Sequence, residues 1–128
     1  MFELEGLDHI ALAVRDVERS ADWYIDVLGF ERRYDGMWDG VPVFVARNAT
    51  AIALFPAGSD HASSSLPRKP SGMLHLALRA NRKNFVAAQR ELTSRGIAFH
   101  VQDHEISHSI YFRDPDGYEI EITTYELE

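Results

Sequence analysis

The chain repeats one phrase. "GLDHIALAV" begins at Gly6, and sixty-six residues later "GMLHLALRA" begins at Gly72. Each copy has a glycine, a histidine three positions on, and then alternating Leu or Ile with Ala. Self-similarity at a fixed spacing marks a duplicated supersecondary unit, and it limits the possible folds more than any composition does. Both phrases read as short strands, Leu7–Val14 and Met73–Ala80, because apolar residues dominate them and turn residues flank them.

The repeat extends beyond these phrases. "RDVERSADWYIDVLGFE" follows the first, with Asp16 or Ser20 as a cap and Ala21, Tyr24, Ile25 and Leu28 at helical spacing. Gly29 stops that helix, since glycine accepts the left-handed conformation at a helix end. "NRKNFVAAQRELTSRGIAF" follows the second, with Asn81 or Asn84 as a cap, Phe85, Ala88 and Leu92 as the apolar stripe, and Gly96 as the stop. Strands are expected next at Phe30–Tyr34, Val41–Ala46 and Ala51–Phe55, and in the second half at Ala98–Val101, Ser109–Arg113 and Tyr118–Tyr125. "DPDG" at Asp114–Gly117 is a turn, with proline fixing φ and glycine accepting positive φ. The expected fold is α+β: two βαβββ modules, residues 1–56 and 72–128, with pseudo-twofold symmetry in one domain spanning 1–128. The Ser-, Pro- and Gly-rich stretch 57–71 joins them as a loop, either a plain linker or a flap.

Composition narrows the chemistry. A chain of 128 residues that is 45% hydrophobic can bury a sizeable core. A net charge of −7 argues against nucleic acid as a partner, because phosphate contacts need a basic face. The absence of cysteine removes disulfides, thiolate metal sites and cysteine nucleophiles together. "MFELEGLDH" carries acids where a signal peptide carries basic residues, and no apolar run approaches the roughly 20 residues that span a bilayer. The expectation is a cytoplasmic chain with no membrane partner.

Strand alternation assigns faces without coordinates. His9 shares a face with Leu7, Ala11 and Ala13, and His75 with Met73, Ala77 and Arg79. The small alanines leave room beside each imidazole. In the last strand Glu119, Glu121 and Thr123 lie opposite Tyr118, Ile120 and Ile122. If the apolar sides meet the helices, both histidines and at least one glutamate face a common concave surface. Two neutral imidazoles and a carboxylate with open positions suit Fe(II), Mn(II), Co(II), Ni(II) or Zn(II).

The phrases "LDHIALAVRDVERSADWYIDVLGFE", "LHLALRA" and "IYFRDPDGYEIEIT" resemble the vicinal oxygen chelate superfamily of glyoxalases, bleomycin-resistance proteins and extradiol dioxygenases. The resemblance covers essentially the whole chain. It implies a cupped mixed sheet around a divalent metal held by His9, His75 and Glu121. It selects Glu121 over Glu119 because the family's glutamate lies four residues after the glycine of its DPxGxxxE pattern. Glyoxalase I-like members carry a fourth ligand in the last strand of the first module. Here that strand reads "TAIALFP", and the matching position is Ala53, or Phe55 if the register slips by two. Neither binds a metal, which leaves the three-ligand pattern of extradiol dioxygenases and fosfomycin-modifying enzymes.

Further candidates surround these. Tyr111 should face the cup and could hydrogen-bond a bound oxygen, and it matches a pocket tyrosine of the extradiol enzymes. His104 and His108 precede its strand and could move protons at neutral pH. His61 lies in the connecting loop. Tyr34, Trp38 and Phe44 form either a pocket wall or core.

The expected function is that of a metal-dependent enzyme chelating adjacent oxygens of a small-molecule substrate. Extradiol-dioxygenase chemistry with Fe(II) or Mn(II) comes first, and Zn(II), Ni(II) and Co(II) remain compatible. Tyr111 and His108 are its catalytic candidates. A glyoxalase-like lyase or isomerase, a fosfomycin-type transferase, and a metal-free antibiotic-binding protein are the alternatives. The resemblance also implies a homodimer, in which His9 could meet His75 of its own chain or of a partner.

Overall fold

The computed structural model describes residues 1–58 and 72–128. Two compact units, Met1–Arg68 and Lys69–Glu128, each hold one copy of the repeat. The first contains β1 (Ile10–Val14), α1 (Val17–Leu28), β2 (Glu31–Arg33), β3 (Val43–Arg47) and β4 (Thr50–Pro56). The second contains β5 (Leu76–Arg79), α2 (Arg82–Ser94), β6 (His100–Asp103), β7 (His108–Arg113) and β8 (Glu119–Thr124). The sheets run β1-β4-β3-β2 and β5-β8-β7-β6. In each, the first strand pairs parallel with the last and the remaining pairs are antiparallel. These are the two βαβββ modules of an α+β fold. Of the expected loop 57–71, all but Ala57 and Gly58 lie outside the described residues, His61 included.

Both helices form between the expected caps and stops, and one cap candidate is chosen in each. Asp16 is extended at φ −139° and accepts from Arg19 N at 3.1 Å. Asn81 accepts from Asn84 N at 2.9 Å. Each side chain satisfies a first-turn amide that has no partner within the helix. Gly29, at φ 72°, closes α1. Tyr24, Ala21, Phe85 and Leu92 are buried against the sheets. The helix-facing strand residues are aliphatic in both units: Leu12, Val14, Val45, Ile52 and Leu54 in one, Leu76, Ile110, Ile120 and Ile122 in the other.

The strand ends differ from expectation in ways that bear on the site. β1 starts at Ile10 and β5 at Leu76, so His9 and His75 each stand one residue before a strand. The parallel ladders begin at the Ile10–Ile52 and Leu76–Ile120 pairs. Leu7 and Leu74, beyond any partner, are about four-fifths exposed, at 81% and 79%. Tyr118 leaves β8 because Asp114 captures it: Asp114 Oδ1 accepts from Tyr118 N and from Asp116 N, both at 2.9 Å. β3 starts after Pro42, which has no N–H to give a ladder. β6 sits two residues later than expected, since its hairpin closes with Asp103 opposite His108.

Between β2 and β3 lies an unexpected 3₁₀ turn, Met37–Gly40. Tyr34, Trp38 and Asp39 take positive φ there, at 60°, 56° and 55°. Left-handed backbone at residues other than glycine costs on the order of 1–3 kcal/mol each. Among the described residues no helix is long and apolar enough to cross a membrane.

Candidate functional site

Glu121 is the centre of the second unit. It sits mid-strand in β8, opposite Ala77 of β5 on one side and Tyr111 of β7 on the other. Its side chain is buried, with the residue 8% exposed. A buried carboxylate needs partners to offset lost hydration. Ser109 Oγ donates to Oε2 at 2.6 Å, and His75 Nε2 lies 3.0 Å from Oε1. Ser109 is in turn 3.0 Å from the Thr123 hydroxyl. Ala77, in β5 directly opposite Glu121, supplies the space beside the carboxylate that the alternation in the sequence implied.

Tyr111 gathers the rest of this face. His100 stacks on its ring at 5.0 Å and 14° between planes. His104 Nε2 lies 3.0 Å from its hydroxyl, and the His75 ring stands edge-on at 5.8 Å. Phe99, His100, Tyr111, Arg113 and Glu119 line a recess of about 300 Å³. Burial raises the Tyr111 phenol above its ordinary value of 10.0, and the nearby Glu121 carboxylate adds to the shift. The neutral phenol is thus retained into alkaline solution, available as a hydrogen-bond donor. In an ultraviolet titration of the five tyrosines, the Tyr111 phenol is expected to ionise later than the ordinary range. Tyr111→Phe should lower the late-ionising absorbance by one phenol; an unchanged late amplitude in the variant would assign it elsewhere.

His108 lies on the other side of the sheet. It is inside β7 and three residues from Tyr111, so it shares the face of Ile110 and Phe112. There Nδ1 lies 2.9 Å from Arg82 Nη1 and Nε2 lies 3.7 Å from Asp103 Oδ1. Arg82 always donates, so Nδ1 accepts and the neutral ring carries its proton on Nε2. His100 had no weight in the sequence reading. Its signal is the cross-strand pairing with Tyr111, which is visible only once the hairpin register is known.

In the first unit, His9 Nδ1 faces Asp8 Oδ2 at 2.8 Å. That contact places the proton on Nδ1 and leaves the Nε2 lone pair free, the arrangement typical of metal-ligating histidines. The His9 ring meets Phe44 edge-on at 5.1 Å. Register resolves the choice between Ala53 and Phe55. Ala53 pairs with Ala11 and Phe44, as Glu121 pairs with Ala77 and Tyr111. Ala53 is the counterpart of Glu121, and it is fully buried in an apolar cluster with Phe44, Ala46 and Ala51.

The chemistry of these donors fits a divalent ion. Nε2 of His75 and Oε1 of Glu121, 3.0 Å apart, can both bond one ion at about 2.1 Å with an angle near 90° between them. Without an ion the same contact is a hydrogen bond. Among the described residues no three His, Asp or Glu side chains are gathered as a complete shell. The structure brings His75 and Glu121 together, and His9 belongs to the other unit.

The family model of the Glyoxalase/Bleomycin resistance protein/Dioxygenase superfamily matches residues 6–122. The chain belongs to this superfamily. Within it, the chain is 30% identical over 125 residues to catechol-2,3-dioxygenase of Bacillus subtilis, covering 91% of this chain and 40% of that protein. It is 24% identical over 119 residues to glutathione transferase FosA of Serratia marcescens, covering 93% and 80%. The chain therefore spans less than half of the dioxygenase and most of the transferase. Among solved structures, TnmS3, an antibiotic binding protein from a Streptomyces species, superposes with a TM-score of 0.75 at 23% identity, covering 97% of this chain and 98% of that one. That superposition shows the shared fold.

Proposed function

We propose that this superfamily member is a metal-dependent enzyme that chelates adjacent oxygens of a small substrate, with extradiol ring cleavage as its reaction. The observation that carries the reading is the pairing of His75 and Glu121 at 3.0 Å, with Ser109 fixing the other carboxylate oxygen. His9 completes the ligand set, from the same chain or from a partner copy in a dimer. Its Asp8-bound Nδ1 leaves the ligating nitrogen free. Ala53 at the counterpart of Glu121 supports a three-ligand shell with open positions over a four-ligand one. When bound, Fe(II) or Mn(II) would supply Lewis acidity and redox chemistry.

The chain's own residues handle orientation and protons. Ser109 holds Glu121 in one rotamer. The Tyr111 hydroxyl stands on the Glu121 face and can donate to a substrate oxygen. His104, 3.0 Å from that hydroxyl, can hydrogen-bond to it and exchange a proton with solvent. His104 rather than His108 fits this role, since His108 faces the helix. The similarity to catechol-2,3-dioxygenase supports the substrate class.

Anaerobic Fe(II) reconstitution followed by a catechol panel tests the reading. Yellow ring-cleavage products with matching O2 uptake are expected. No uptake with any catechol moves the assignment to a non-oxidative reaction. The transferase is then the leading alternative: the chain spans 80% of FosA, and glutathione addition to fosfomycin is its direct assay. Metal content distinguishes either enzyme from a metal-free antibiotic binder.

A further inference from the structure

We propose that Tyr34, Trp38 and Phe44 form a platform for the aromatic body of the substrate, which makes the preferred substrate a planar aromatic larger than one ring. The proposal rests on the reading of His9 as a ligand at the chelating end. The platform itself stands on the first unit alone.

Phe44 lies at its base, 8% exposed and packed with Ala46, Ala51 and Ala53. These alanines, with Phe55 packed against them, keep the floor beside it free of polar groups. The His9 ring meets Phe44 on one side at 5.1 Å. Trp38 meets it at 5.5 Å with 35° between planes, and Tyr34 at 5.4 Å and 74°. Tyr34 and Trp38 touch each other at 5.7 Å. Both remain about half open, at 55% and 50% exposure.

Two costs meet in this one segment. Large aromatic surface is left in water, and the same two residues take left-handed backbone that disfavours bulky side chains. Neither helps folding. Together they hold two rings at the edge of the Phe44 floor, where an aromatic guest would cover them. The spacing sets the size of the guest. A single ring beside His9 reaches Phe44, one ring-to-ring step away. Trp38 lies one ring contact further on, 5.5 Å from Phe44, and a second ring extends the guest toward it. The counterpart of Phe44 in the second unit is Tyr111, among His75, His100 and His104. The duplicated positions have thus diverged into one apolar face and one polar face.

The test uses metal-free protein and two probes that cannot chelate, phenol and 2-naphthol. In a Trp23→Phe background Trp38 is the sole tryptophan, and 2-naphthol is expected to quench it. Naphthol should bind at least about tenfold more tightly than phenol, given the extra apolar area of its second ring. By equilibrium dialysis, Trp38→Ala and Tyr34→Ala should each weaken naphthol by about tenfold, since stacked aromatic pairs add to area burial. Both side chains are half exposed, so the variants should fold, and circular dichroism checks this. Naphthol binding no tighter than phenol, or unchanged in both variants, overturns the proposal. His75→Ala separates the two readings, because it strips the proposed metal site and should leave naphthol affinity intact.

Discussion

His75→Ala is expected to lower divalent-metal affinity by at least about a hundredfold. Outer-shell partners of metal ligands are typically worth 10–100-fold, and a direct donor should exceed them. The variant removes the nitrogen nearest Glu121 Oε1 and leaves that buried carboxylate with Ser109 and Tyr111. Protein purified without a histidine tag and incubated with Fe(II) or Mn(II) should carry close to one ion per chain. The variant should carry almost none under the same dialysis. Circular dichroism of both separates lost ligation from lost folding. Equal, negligible metal in wild type and variant would sink the enzyme reading and favour a metal-free binding protein. Equal, substantial metal in both would place the ion elsewhere.

Ala53→Glu is expected to have the largest effect on stability. Ala53 is fully buried between Ala11 and Phe44, in a cluster with no polar member. A carboxylate placed there has no counterpart of Ser109, and His9, the counterpart of His75, is already engaged by Asp8. Burying such a group without a partner costs on the order of 3–5 kcal/mol, a fall in Tm of roughly 10 °C or more for a domain of this size. Because the position is the register counterpart of Glu121, added Zn(II) or Mn(II) should recover much of that loss, as binding to the folded state alone stabilises it. Differential scanning fluorimetry with and without metal reads both effects. If Tm is unchanged in the variant, the site is less enclosed than its burial indicates. A metal-independent fall would show that Ala53 lies out of reach of any ion held by His9.

Much of the architecture was legible because it is written in local signals. Asp16 and Asn81 cap, Gly29 and Gly96 stop, and apolar residues at helical spacing lie between them. These are interactions within a few residues, so the sequence carries them whole. The Tyr34–Gly40 segment was not legible. Its two half-exposed aromatics take backbone conformations that their residue types disfavour, and propensity points away from such a geometry.

The candidate site divides along the same line. The sequence by itself determined the duplication, the two module orders, and the matching places of His9 and His75 in the repeated phrase; the choice of Glu121 came from the resemblance to the superfamily. Alternation put Glu121 and Tyr111 on one face, and the structure pairs them directly. Only the tertiary structure decided register. A slip of two residues keeps every side chain on its face, so alternation could not choose Ala53 over Phe55; hydrogen bonding to β1 and β3 does. The same long-range pairing extends β7 to His108 and turns that side chain to the helix. It also sets His100 against Tyr111 and carries the chain round to put His104 at its hydroxyl. Local signals fix which residues form a strand and which way they point. Their partners are fixed by hydrogen bonds between segments far apart in the chain, and the proton-handling groups around Glu121 depend on those partners.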